Sequence, residues 1–268
     1  MDLLKWKTRL SNKKNKNDFE KSLPHRLKGV VADIRLNNFQ AAQEQLLDIV
    51  NRRDEITDPA LVRAALHNLS ATWYLQDQYR EGIEFFSNYI ERYPADAGGY
   101  SARGMMFWYS GEYQKALQDY TLALELLPND FLTLSARGQV LGELGQYREA
   151  LLDLDQASKA LDRYHTSDFA WRRRSQAFIQ NGRATALAGM GEFEQGLREF
   201  ESSITLCPNN AWVYYRRACV YDSRGERRKA ISDYKLALVK NDPRLPLNKI
   251  RHAEARHHAL VDDGENAG

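Results

Sequence analysis

The sequence predicts an all-α fold made of antiparallel helix pairs stacked side by side. Three observations predict it: a self-similarity with a period of 34 residues, small residues at fixed places within each copy, and helix stops and caps at the copy boundaries. Copies begin at Arg63, Ala97, Phe131, Ala177 and Ala211, at spacings of 34, 34, 46 and 34, so 12 extra residues precede the fourth copy. Place 32 holds Pro94, Pro128 and Pro208, with Asp162 and Asp242 in the other two copies.

Each element follows from this frame. Place 8 is always small (Ser70, Gly104, Gly138, Ala184, Ala218), and so is place 20 (Gly82, Ala116, Ala150, Gly196, Ala230), so two helix backbones can approach there. Places 4, 7, 8 and 11 share one helical face, as do 17, 20, 24 and 27. Place 15, between the helices, holds Asp77, Gly111, Gly145, Gly191 and Gly225, residue types that turn a chain sharply. The place-32 proline ends the second helix, and Asp96, Asp130 or Asn210 is set to cap the next one. Asp58-Pro59 reads as a cap followed by a first-turn proline. A single pair cannot bury its apolar face, so the pairs must stack.

An internal pairing emerges from the same frame. Place 7 reads Leu69, Arg103, Arg137, Arg183 and Arg217, while place 23 reads Phe85, Asp119, Asp153, Glu199 and Asp233. Each arginine meets an acid and the leucine meets a phenylalanine, which predicts framework ion pairs within each copy. A partly exposed pair of this kind contributes about 0–1 kcal/mol, and stranding one buried half costs more.

The runs Tyr100-Ser101-Ala102-Arg103-Gly104, Gly111-Glu112-Tyr113 and Pro128, with their counterpart from Tyr214 to Asp242, resemble the tetratricopeptide repeat. The resemblance covers 63–244 outside the insertion. It implies an α-solenoid, a right-handed superhelix of helix pairs whose concave groove binds peptides or protein segments. It also implies that places 2, 5, 9, 12 and 13 face that groove. These include Tyr74, Met105, Trp108, Tyr109, Gln139, Asn181, Trp212 and Tyr215, none of them cationic, an aromatic wall suited to an apolar partner segment.

The flanks extend the organisation. Residues 1–22 read as a flexible basic arm, since residues 1–28 hold nine Lys/Arg against three Asp/Glu. Residues 23–56 read as a degenerate helix pair, with Phe39, Ala42, Leu46 and Ile49 at places 17, 20, 24 and 27. Repeats then occupy 63–96, 97–130, 131–164, 177–210 and 211–244, around an insertion at 165–176. In the insertion Ser167 can cap an elongated helix that packs Phe169 and Trp171 on its neighbour, and Arg172-Arg173-Arg174 forms a second basic patch. A capping helix at 246–261 closes the solenoid of 23–262, and 263–268 reads as a disordered tail.

The chemistry expected is binding rather than catalysis. No G-x-S-x-G, phosphate-loop, H-E-x-x-H or paired C-x-x-C motif occurs. His252, Glu254 and His258 lack a further ligand for a metal site, so neither metal nor cofactor is expected. A net charge of +2 argues against a polycation, and no apolar run reaches the roughly 18 residues that span a bilayer. Two cysteines, Cys207 and Cys219, and a start without an apolar leader segment fit the cytoplasm. The expected function is a protein-binding module: a scaffold, a regulator, or a chaperone or neutraliser of a partner such as a secreted effector or toxin. The alternative is nucleic-acid association through the arm and Arg172–Arg174.

Overall fold

The computed structural model describes residues 3–164, 168–240 and 245–265, with side chains from residue 16 to 262. All regular structure among them is helical: thirteen α-helices and one 3₁₀ turn. The chain divides into two compact units, residues 1–110 and 111–268. This boundary falls inside the repeat at 97–130, where a single solenoid over 23–262 was expected.

The first unit holds α1 (Leu3–Arg35), α2 (Phe39–Asn51), the 3₁₀ turn Arg53–Glu55, α3 (Pro59–Tyr74), α4 (Tyr79–Arg92) and α5 (Ala97–Tyr109). Its core joins Leu23 and Val30 of α1, Leu46 and Ile49 of α2, Leu66, Leu69 and Trp73 of α3, Phe86 of α4 and Met106 of α5. The boundary expected at residue 23 lies within α1. Phe19 is buried there beneath the Arg52 guanidinium, 3.4 Å from the ring centroid. Glu20 accepts from the backbone N–H groups of Thr57 and Asp58, both at 2.8 Å. Residues 16–22 are therefore packed helix rather than a flexible arm; residues 1 and 2 of the expected arm lie outside the described residues.

The second unit holds α6 (Tyr113–Leu126), α7 (Phe131–Glu143), α8 (Tyr147–Arg163), α9 (Phe169–Gly189), α10 (Phe193–Leu206), α11 (Ala211–Ser223), α12 (Arg227–Val239) and α13 (Leu247–Glu265). Partners pair in sequence as α7 with α8, α9 with α10 and α11 with α12, and the first helices α7, α9 and α11 lie side by side. Phe200, Tyr234, Leu134 and Leu154 are buried between them.

Local chemistry sets the helix boundaries. Asp58, Asp96, Asp130 and Asn210 each accept a backbone N–H of their helix at 2.8–3.1 Å. Removing such a cap costs about 1 kcal/mol. The place-15 residues all take positive φ, from 57° at Asp77 to 87° at Gly111 and Gly191, and Asn37 at the corresponding point of the first pair has φ 61°.

The insertion gives one long helix, with differences. Ser167 lies outside the described residues, as do His165 and Thr166, and Asp168 caps α9 by accepting the Trp171 N–H at 2.8 Å. Trp171 packs edge-on to Phe131 at 5.4 Å. Phe169 is 76% exposed instead of packed, because as the first helical residue it precedes the face that meets α8. At the other end α13 continues to Glu265, past the expected start of a disordered tail, and 266–268 lie outside the described residues.

Candidate functional site

The framework pairs hold the helix pairs in register. Arg137 donates to both oxygens of Asp153 at 2.6 and 2.8 Å, and Arg217 does the same to Asp233 at 2.7 and 3.0 Å. Arg183 donates to Glu199 at 3.0 Å and also pairs with Asp155. Leu69 and Phe85 both join the apolar core of the first unit, as their apolar character requires. Arg103 donates to Ser87 Oγ at 3.2 Å, and Asp119 is buried. These two belong to different units, and their mutual pairing stays an expectation.

In the first unit, α3 and α5 end in a shared aromatic surface. Tyr74 and Tyr109 stack face to face, with centroids 4.2 Å apart and planes within 2°, and both are half-buried. Met105 is also half-buried and accepts the Ser70 hydroxyl at its sulfur, 3.2 Å away. Trp108 differs from the exposed anchor expected: it is only 6% exposed and leans on Tyr109 at 5.1 Å.

In the second unit the wall expected to be open is buried. Gln139 is 1% exposed, Asn181 2%, Trp212 8% and Tyr215 6%. Two features cover Gln139, Trp212 and Tyr215. The first is Arg216, which donates to Gln139 Oε1 and, at 2.8 Å, to Glu143, while its guanidinium lies 4.8 Å from the Trp212 centroid. Gln139 in turn donates to the Phe178 carbonyl at 2.7 Å.

The second is α13, whose side chains reach back onto the wall. Lys249 bonds Glu143 at 2.9 Å, His252 Nδ1 lies 3.1 Å from the Tyr215 hydroxyl, and Arg256 clasps Asp222 through two 2.7 Å bonds. Burial alone would raise the Glu143 carboxyl, yet Arg216 and Lys249 hold it below its usual range. The Arg256 bonds hold Asp222 low in the same way.

Sequence reasoning missed Arg216. Its signal was place 6, where the other copies carry Asn68, Ala102, Ala136 and Gly182 and only this one carries a cation.

The grip of α13 is expected to depend on acidity. Partial burial, then Lys249 and Arg256, push His252 below its ordinary value of 6.5. The groups facing it are Tyr215 and Tyr234, with Asp222 opposing the shift. A group with a depressed folded value stabilises the docked state above its unfolded value and loses that contribution as pH falls through the window below it. For His252 the loss begins below 6.5. Asp222 and Glu143, lowered from 3.8 and 4.5, give up theirs only in stronger acid. Hydrogen-exchange protection of α13, corrected for intrinsic rates, is expected to fall as the pH drops below about 6.5. A His252→Gln chain should lack that dependence, and protection that rose on acidification would contradict it.

The basic patch is tied into the framework. Arg172 donates to the Tyr164 carbonyl at 2.5 Å and Arg173 to the Leu206 carbonyl at 2.7 Å, placing both cations at the carboxyl ends of α8 and α10. Cations are favourable at that end of a helix. Among the described residues no group of three or more His, Cys, Asp or Glu stands together as metal ligands, and no helix is long and apolar enough to cross a membrane.

Comparison with known proteins agrees with this architecture. The tetratricopeptide repeat family model matches residues 97–130, the second of the five copies. The APC/C hetero-tetramer Cut9-Hcn1 gives a TM-score of 0.65 at 14% identity over 92% of this chain, which spans about 45% of the length of that one. A tetratricopeptide repeat protein from Parabacteroides merdae gives 0.52 at 19% identity, covering 92% of this chain and 94% of that one. TTC0263, a thermophilic protein of the same repeat class from Thermus thermophilus, gives 0.53 at 20% identity, covering 74% and 98%. No curated protein matches the sequence. With the repeat frame and the helix pairs, these likenesses show the all-α solenoid fold, and residues 97–130 match the tetratricopeptide repeat.

Proposed function

We propose that this chain is a non-enzymatic protein-binding module whose first unit holds an apolar segment of a partner against Tyr74, Tyr109 and Met105. The stacked, half-exposed tyrosine pair carries the reading. Two coplanar rings offer a broad apolar face with hydroxyl rims, and two-χ aromatic side chains lose little entropy on binding, which is why they recur as binding anchors. Roughly micromolar affinity, about −8 kcal/mol, is ordinary for a short segment held this way. A scaffold, a regulator or a chaperone of a partner would each use such a surface.

Basic-arm or arginine-triplet binding to nucleic acid has no comparable support. Residues 16–22 of the arm are packed, and Arg172 and Arg173 donate to helix-end carbonyls.

The test is affinity capture by the native chain beside a Tyr74→Ala, Tyr109→Ala chain. Loss of the two rings is expected to weaken the captured partner by about 2 kcal/mol, roughly thirty-fold, with helix content preserved. Equal recovery by both chains would refute the reading.

A further inference from the structure

The helix α13 carries information about what the second unit's wall accepts. Its residues Lys249, His252 and Arg256 fall at intervals of three and four, so they share one helical face with a cation at each end. That face meets Glu143, Tyr215 and Asp222, three side chains supplied by the first helices α7 and α11. Ala253 sits between them, fully buried, and lets the helix lie close to the wall.

The hold is modest. Ala253 is the one fully buried side chain of α13 between residues 247 and 262, with Ile250 and Leu260 partly buried beside it. By contrast, α11 buries six consecutive residues from Ala211 to Arg216. The Arg256 side chain remains 42% exposed while it grips Asp222. Beyond its packing on α12 and the Arg227 bond to the Leu260 carbonyl, α13 is held to the wall of α7 and α11 by ion pairs, and such pairs contribute little each and weaken with salt.

We infer that α13 occupies a binding surface, and that the external ligand of this surface is a basic amphipathic helix of a partner protein with the same spacing: a cation at i, a small residue at i+4 and a cation at i+7. Charge complementarity selects it. With α13 lifted, Glu143 keeps Arg216 but loses Lys249, and among the described residues Asp222 keeps the Tyr234 hydroxyl at 3.2 Å, so the wall presents acid stripped of its α13 cations beside aromatic rings. A helix lacking cations would leave those acids desolvated without compensation. This inference is independent of the tyrosine pair in the first unit.

The experiment uses the full chain and a labelled synthetic peptide with the sequence of residues 246–262. A Lys249→Ala, Arg256→Ala chain leaves the wall intact and loosens its occupant. An affinity limited by the open fraction of the wall rises as that fraction rises, so this chain should bind the peptide about ten-fold or more tightly than the native chain. A peptide with both cations replaced by alanine should not bind. Equal affinity of the two chains, or equal binding of the cation-free peptide, overturns the inference. So does binding that depends on Tyr74 and Tyr109.

If the double variant loses helix content, the native chain answers instead. Saturating peptide must speed amide exchange in α13 while slowing it in α11, and unchanged α13 exchange overturns the inference.

Discussion

Glu143→Ala is expected to lower the stability of the second unit by about 3 kcal/mol, because it strands a buried guanidinium. The Arg216 side chain is 6% exposed, and among the described residues its charge is answered by Glu143 through a 2.8 Å ion pair, with Gln139 adding a neutral acceptor. The same carboxylate anchors Lys249, so its loss also frees the start of α13. For a unit of this size the drop corresponds to roughly 6–12 °C in melting temperature. Adding Arg216→Met to Glu143→Ala should recover most of it, since an apolar side chain in that place needs no counter-charge. A single variant that melts like the native chain would show that the pair is solvated, contrary to the burial described.

Gly196→Ala is expected to cost about 2 kcal/mol, a large effect for one methyl group in a helix. A Cβ at Gly196 would lie 2.8 Å from the Ala184 carbonyl oxygen and 3.2 Å from the Ala188 nitrogen, both backbone atoms of the partner helix. The pair α9–α10 must therefore separate. Gly82, at the same place of its own copy, gives the control: its Cβ would meet side-chain rather than backbone atoms, 2.5 Å from the Met106 sulfur and 2.9 Å from its Cγ, and a side chain yields more readily than a helix backbone. Gly82→Ala should thus be nearly neutral, with the helix-propensity gain of about 0.5–1 kcal/mol offsetting the adjustment. Equal costs at the two positions would contradict this account of backbone approach.

What could be read from the residues was what repeats locally. Caps, positive-φ turns and small contact residues recur at fixed places because each is enforced inside one 34-residue copy. The arginine–acid partners stand only 16 residues apart, as in Arg137 and Asp153.

The parts that escaped reading depend on distant chain. Lys249 meets Glu143 across 106 residues, and nothing in the local spacing of α13 distinguishes a helix that merely ends the stack from one that lies over an inner wall. Trp212 and Tyr215 were expected to be open on that wall, but their burial is decided by Arg216 and α13. At the amino-terminal side a basic composition hid Phe19, whose burial under Arg52 is a cation–π contact between α1 and the residue that caps α2. Phe169 and Trp171 differ because the cap at Asp168 sets where the helix starts and hence which ring faces α8.

The central proposal is that the Tyr74–Tyr109 surface of the first unit receives a partner, while the wall of the second unit is covered by the chain's own last helix. Amide hydrogen exchange on the native chain at neutral pH tests it most directly. The account predicts α13 amides from about Ile250 to Ala259 protected well above a free peptide, with Arg256→Ala lowering that protection and leaving α11 unchanged. Exchange of α13 at free-peptide rates in the native chain would contradict it.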